Sequence, residues 1–164
     1  MTTWIRSSEN PSTFVHAFRT ALAALISLLA ARWLRMPEAY WAPISTMIVM
    51  QSTLGASLPI SVQRFAGTTV GAAAGALVAM RYPFNALAFA LAVLGLGLLC
   101  ALFRVERAAY RYAGITLAIV LLVARNESAW VAATHRFIEV TLGIVVGLVI
   151  TVAWPERPVH RAIG

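Results

Sequence analysis

The segment Arg64-Phe65-Ala66-Gly67-Thr68-Thr69-Val70-Gly71-Ala72-Ala73-Ala74-Gly75 decides how the chain folds, because it returns 72 positions later as Arg136-Phe137-Ile138-Glu139-Val140-Thr141-Leu142-Gly143-Ile144-Val145-Val146-Gly147. Arg64-Phe65 falls on Arg136-Phe137, Thr69-Val70-Gly71 on Thr141-Leu142-Gly143, and Gly75 on Gly147, all in one register. At an offset of 71 a second block matches, with Trp41-Ala42 on Tyr112-Ala113, Ile44-Ser45 on Ile115-Thr116 and Ile48-Val49 on Ile119-Val120. A one-residue indel separates the two blocks. Apolar segments resemble one another cheaply, but a paired Arg-Phe with Gly-x-x-x-Gly in the same register does not come that way, so true repetition is the stronger reading.

Outward from this repeat the chain is too apolar to be a soluble domain. Of its 164 residues 60% are hydrophobic and only 12% charged, more hydrocarbon than a core of this size hides from water. Stretches that meet or approach the roughly 20 residues a span requires run over Phe14 to Leu34, Ala39 to Met50, Arg64 to Met80, Phe84 to Phe103, Ala108 to Ala124 and Val131 to Trp154. The expected fold is an all-α, polytopic membrane bundle of about six transmembrane helices. It forms one integral membrane domain over residues 1–164, with one repeat over about 11–82 and the second over about 83–155. Three spans per repeat is an odd number, so the second copy enters from the opposite side and the halves form an inverted pair. Such a pair is either purely structural or the frame of a transport site near the bilayer midplane.

Local signals set the expected boundaries. Pro11 and Ser12, after Glu9, open the first helix, which stops near Arg35 before Pro37. Pro37-Glu38 opens the second, and Pro43, which has no backbone donor, should kink or unwind it. The third starts around Ser57 to Pro59 and ends at Arg81-Tyr82-Pro83, and Pro83 starts the fourth. Arg104-Val105-Glu106-Arg107 and Arg125-Asn126-Glu127-Ser128 are charged connections, and Trp154-Pro155 closes the last span.

The net charge of +7 does not indicate nucleic acid, since the thirteen arginines are scattered at the ends of apolar segments rather than gathered into a patch. With both termini cytoplasmic, Arg6, Arg19, Arg64, Arg104, Arg107, Arg111, Arg157 and Arg161 lie inside, against Arg32, Arg35, Arg81, Arg125 and Arg136 outside. That modest bias favours a multi-pass protein of the bacterial inner membrane with a cytoplasmic N-terminus. The first apolar stretch is long for a signal peptide and reads as a retained span. Cys100 is alone, so no disulfide framework or thiolate metal set exists. The chain has no Asp, only His16, His135 and His160 as imidazoles, and none of the common nucleophile, zinc or P-loop motifs. An enzyme, a cofactor and a metal site are therefore not expected.

Gly67, Gly71 and Gly75 stand four apart and form one small-residue stripe, matched by Gly143 and Gly147. In lipid, where no hydrophobic force draws helices together, such stripes permit close backbone approach, and helix packing is favoured over a glycine-lined path.

Tyr40-Trp41-Ala42-Pro43 followed by Arg64-x-x-Gly67-Thr68-x-x-Gly71 resembles the signature of the fusaric acid resistance-like, or aromatic acid exporter, membrane domain, over most of the chain. It is more distantly similar to the plant aluminium-activated malate transporters. The resemblance implies a six-helix membrane domain that moves organic anions, here by efflux of aromatic or other organic acids. The second repeat departs from the pattern, with Glu139-Val140 where the first has Gly67-Thr68.

Within that frame Arg64 and Arg136 are the candidate anion-binding residues, because guanidinium pairs with carboxylate bidentately. Phe65, Phe137, Trp41, Tyr110 and Tyr112 offer faces to an aromatic ring, Pro43 interrupts a pathway helix, and Arg111 and Arg19 add positive potential. The competing reading is that these arginines snorkel to the interfaces and only anchor the bundle. Glu139 and His135 are the candidates for proton coupling, against a simple i, i+3 ion pair of Glu139 with Arg136. The partners expected are the bilayer, a second copy of the chain in a homodimer, and an organic anion, with no nucleic acid. A non-transporting membrane subunit or assembly factor with the same bundle is the alternative.

Overall fold

The computed structural model describes residues 14–51, 53–122 and 128–155. These residues form helices joined by turns, with no strand: α1 (Phe14–Trp33), α2 (Trp41–Val49), α3 (Leu54–Ala79), α4 (Ala86–Leu102), α5 (Arg107–Leu122) and α6 (Ala129–Ala153). The expected helix opening at Pro11-Ser12 and the Arg125-Asn126-Glu127 part of the last connection lie outside the described residues.

Short polar side chains begin three of the helices. Thr53, Asn85 and Ser128, all in extended backbone, accept hydrogen bonds from the amides of Ala56, Ala88 and Val131 and so satisfy donors that have no partner within their own helix. Helices α1 and α4 end alike. The Met36 amide reaches back to the Ala31 carbonyl at 3.0 Å and the Val105 amide to Cys100 at 2.8 Å, while the residue before each, Arg35 or Arg104, stands at φ 53°. This closure usually takes glycine at the left-handed position; here both positions carry arginine.

Three boundaries differ from the sequence expectation: α4 starts at Ala86, capped by Asn85, and not at Pro83, and the other two bear on the site. Residues 37–40 make a turn closed by the Trp41 amide on the Glu38 carbonyl, and α2 starts at Trp41 instead of Pro37. Pro43 therefore falls in the first turn, where its missing N–H would have had no intrahelical acceptor, and it marks a start instead of a kink. Helix α3 begins at Leu54, capped by Thr53, and not at Ser57 to Pro59. Pro59 lies inside it, and Arg64 sits ten residues into the helix, far from either end.

Helix α3 packs mainly on α5 and α6; α2 packs on α6 and α1; α4 touches only α5 and α3. Each of these contacts has a counterpart when α1, α2 and α3 are exchanged with α4, α5 and α6. The glycines make the closest approaches. A Cβ on Gly71 would overlap the Ala113 carbonyl, and one on Gly143 would overlap the Ala42 carbonyl. A Cβ on Gly75 would stand 3.0 Å from the Val120 side chain, and one on Gly147 would stand 3.4 Å from Val49. Ala42 and Ala113, and Val49 and Val120, are 71 positions apart, the offset read from the sequence.

The distribution of residue types is the reverse of a water-soluble core. The buried residues are largely Ala, Gly, Ser and Thr with Arg19, Arg64, Arg136 and Glu139, whereas Leu87, Leu91, Leu94, Leu98 and Leu102 on α4 and many other large apolar side chains face outward. Several buried hydroxyls are satisfied by the carbonyl one turn back: Ser45 donates to Trp41, Ser61 to Ser57 and Thr151 to Gly147. By length and apolarity α1 and α6 are each able to cross a membrane, and α4 is a shorter apolar helix. Helix α2, with nine residues, is roughly 14 Å long, about half a bilayer's hydrocarbon core.

Candidate functional site

The repeat places two arginines on the facing helices α3 and α6, each against an aromatic ring from the other half of the chain. The guanidinium carbon of Arg136 lies 3.4 Å from the centroid of Trp41, and that of Arg64 lies 5.0 Å from the centroid of Tyr112. Trp41 and Tyr112 are equivalent in the repeat, as are Arg64 and Arg136. The two guanidiniums are within electrostatic reach of each other, and the neighbouring rings of Phe65 and Phe137 meet with centroids 5.3 Å apart at an interplanar angle of 59°. The charge count along the sequence assigns Arg64 and Arg136 to opposite faces of the membrane; the fold draws them into one cluster.

Both guanidiniums are enclosed, with Arg64 4% and Arg136 2% exposed, and neither reaches out along its helix to a surface. Arg64 donates to the Ser45 hydroxyl at 3.0 Å. Its Nε, and the Nε and Nη1 of Arg136, are buried donors with no hydrogen bond to the described residues. A buried cation with unmet donors is costly, and an oxyanion is the partner that answers charge and donors together.

The cluster is not symmetric. On α3, one turn after Arg64, stands Gly67, held so tightly against the Ala109 carbonyl and the Tyr112 side chain that no larger residue fits. The equivalent residue on α6 is Glu139, 1% exposed, whose Oε1 accepts from the Glu38 amide at 3.1 Å. Glu38 in turn takes the Trp41 indole N–H on Oε2 at 2.8 Å, which fixes the ring that lies over Arg136. Glu38 and Ser45 are members of the site that sequence reasoning passed over. Glu38 was legible as the neighbour of the aromatic-Trp-Pro element, and Ser45 as half of the Ser45/Thr116 match.

Other sequence candidates lie elsewhere. Arg19, fully buried, donates to the Trp154 carbonyl at 2.7 Å and to the Gln51 carbonyl, so it ties α1 to the ends of α6 and α2. Arg111 is exposed on α5. Tyr110 donates weakly to the Val93 carbonyl and packs on Gly97, joining α5 to α4. His135 is half-buried beside Arg136, and Pro43 follows Trp41 by two residues in the first turn of α2. Among the described residues no three His, Cys or acidic side chains converge as a metal set.

A family profile described as fusaric acid resistance protein-like matches residues 13–150. The chain is 31% identical over 149 residues to the inner membrane protein YeeA of Escherichia coli (strain K12), an alignment covering 87% of this chain and 41% of that one. It is 32% identical over 153 residues to the uncharacterized transporter YdhK of the same organism, covering 88% of this chain and 22% of the relative. The YdhK protein of Salmonella typhimurium is 28% identical over 155 residues, with 89% and 22% covered. The chain thus spans about two fifths of the length of YeeA and about a fifth of YdhK.

Proposed function

The chain belongs to the fusaric acid resistance protein-like family, and from that premise we propose that it is a multi-pass inner-membrane transporter that exports aromatic and related organic acid anions past Arg64 and Arg136. The observation that carries this reading is the pair of enclosed guanidiniums, each stacked on a ring and each with unmet donors. The donors suit a carboxylate, and the rings of Trp41, Tyr112, Phe65 and Phe137 suit an aromatic body. The relative named an inner membrane protein supports the location, and the relatives named transporters support the class.

The apolar exterior and the small-residue helix contacts support a membrane-embedded bundle, with the whole of residues 1–164 as one domain. The matched contacts of the two halves support two inverted repeats, about 11–82 and 83–155, both termini being cytoplasmic. In that arrangement the short α2 is a half-span helix at the site, and α3 and α6 must part for a solute to reach the arginines. The chain pairs with a second copy in this reading, and cross-linking in native membranes that yielded only monomer would remove that part.

The test is uptake of labelled benzoate into proteoliposomes holding the full chain. Saturable flux is expected, falling by about tenfold to a hundredfold in Arg64→Gln and Arg136→Gln, the cost of one charge-assisted hydrogen bond. Absence of flux across a panel of organic acids from correctly folded protein would instead identify a non-transporting membrane subunit.

A further inference from the structure

Resting on the reading just given, we infer that Glu139 is the proton-linked counter-charge of this site, so that an anion and a proton enter it together. The cluster brings Arg64 and Arg136 together with Glu38 and Glu139. With all four ionised, the charges cancel. An anion entering such an enclosed site leaves an uncompensated negative charge in a medium of low dielectric, which is strongly unfavourable. If one carboxylate takes a proton as the anion arrives, the site stays neutral and both guanidiniums are released to it.

Glu139 is the carboxylate placed for this. It is 1% exposed, one turn from Arg136 on the same helix, and stands where the other half of the repeat has Gly67. Glu38, only half-buried, is committed to the Trp41 indole through Oε2. The remaining groups around the Arg136 and Glu139 pair are His135 on the same helix, Tyr40 and Trp41 from the turn and start of α2, and Arg64 of α3, which lies beside Arg136 and over the Tyr112 ring of α5. Because the first half carries glycine at the matching position, the proton-linked carboxylate belongs to one half alone. One proton binds with one monocarboxylate, so the loaded site is neutral and export of the pair runs down the solute's own outward gradient instead of drawing on the proton gradient.

Binding linkage gives the test. Benzoate, ionised throughout the range used, is titrated into the full chain in lipid nanodiscs between about pH 5.5 and 8 while Trp fluorescence is followed. The affinity of the wild-type protein rises by up to about tenfold per unit as pH falls, the limit for one linked proton. Glu139→Gln holds the low-pH affinity at every pH, with a flat profile. Glu139→Gly, which copies the first half of the repeat, does the same should the amide variant fail to fold. Glu38→Gln keeps the slope, and Arg64→Gln loses benzoate at all pH values. Saturable binding whose slope survives in the Glu139 variants, or a flat wild-type profile, overturns this inference and leaves the transporter reading standing. No saturable binding by the wild-type protein at any pH overturns both.

Discussion

Phe65 and Phe137, 72 positions apart and each directly following an arginine, touch each other with ring centroids 5.3 Å apart. Equivalent residues of two repeats meet only where the halves face one another, so this pair marks the seam on which the site is built. The rings are tilted rather than stacked, a geometry that contributes about 1 kcal/mol beyond area burial. Phe65→Ala and Phe137→Ala, combined in a double-mutant cycle on thermal stability in detergent, should therefore show a coupling of about 1 kcal/mol. Additive effects would mean that the rings pack independently.

The glycines should sort by what surrounds them. Gly71→Ala and Gly143→Ala each force a methyl against a backbone carbonyl that cannot move aside, and should lower the melting temperature sharply or abolish folding. Gly95→Ala on α4 meets open space and should stabilise by about 0.5–1 kcal/mol, the helical preference of alanine. Size-exclusion chromatography after heating separates the two outcomes.

Arg19 should behave as a structural residue. Arg19→Met frees the carbonyls of Gln51 and Trp154 that its guanidinium holds, and should cost about 2–3 kcal/mol of stability. Benzoate affinity in the folded fraction should match wild type, because Arg19 lies apart from the Arg64 and Arg136 cluster. A loss of affinity without a loss of stability would place Arg19 on the solute path.

Arginine at a left-handed helix cap is strained. Arg104→Gly removes the clash of Cβ with the following carbonyl at φ 53° and should raise stability by about 1 kcal/mol, as should Arg35→Gly at the matching cap. Both gains should appear as higher melting temperatures.

The sequence repeat disclosed which helices correspond but not which ones touch. The offsets of 71 and 72 pair α2 with α5 and α3 with α6, and they name Arg64, Arg136, Trp41 and Tyr112 as equivalents. That each arginine stacks on the aromatic ring of the opposite half required the fold, since periodicity along a helix says nothing of its neighbour. The start of α3 was hidden for a local reason. The stretch from Thr53 to Ser57, with Gly55, reads as a turn that precedes the helix, yet Thr53 caps a helix that begins at Leu54, and the Ser57 carbonyl takes the Ser61 hydroxyl within it. The apolar stretch that begins at Arg64 made it look like an end anchor, whereas the helix starts ten residues earlier, at Leu54. Glu38 escaped notice because its partner, the Glu139 carboxylate, lies 101 residues away.

The crossed packing of the glycine helices has a consequence for how the protein is made. The stripe on α3 finds its cover on α5, and the stripe on α6 finds its cover back on α2. A ribosome that has delivered α1 to α3 has made a half with its narrowest surface bare, and that half must wait in the membrane until the second arrives. Biogenesis is thus a mutual rescue of two incomplete halves, with the unaccompanied first half as the species a membrane protease would meet.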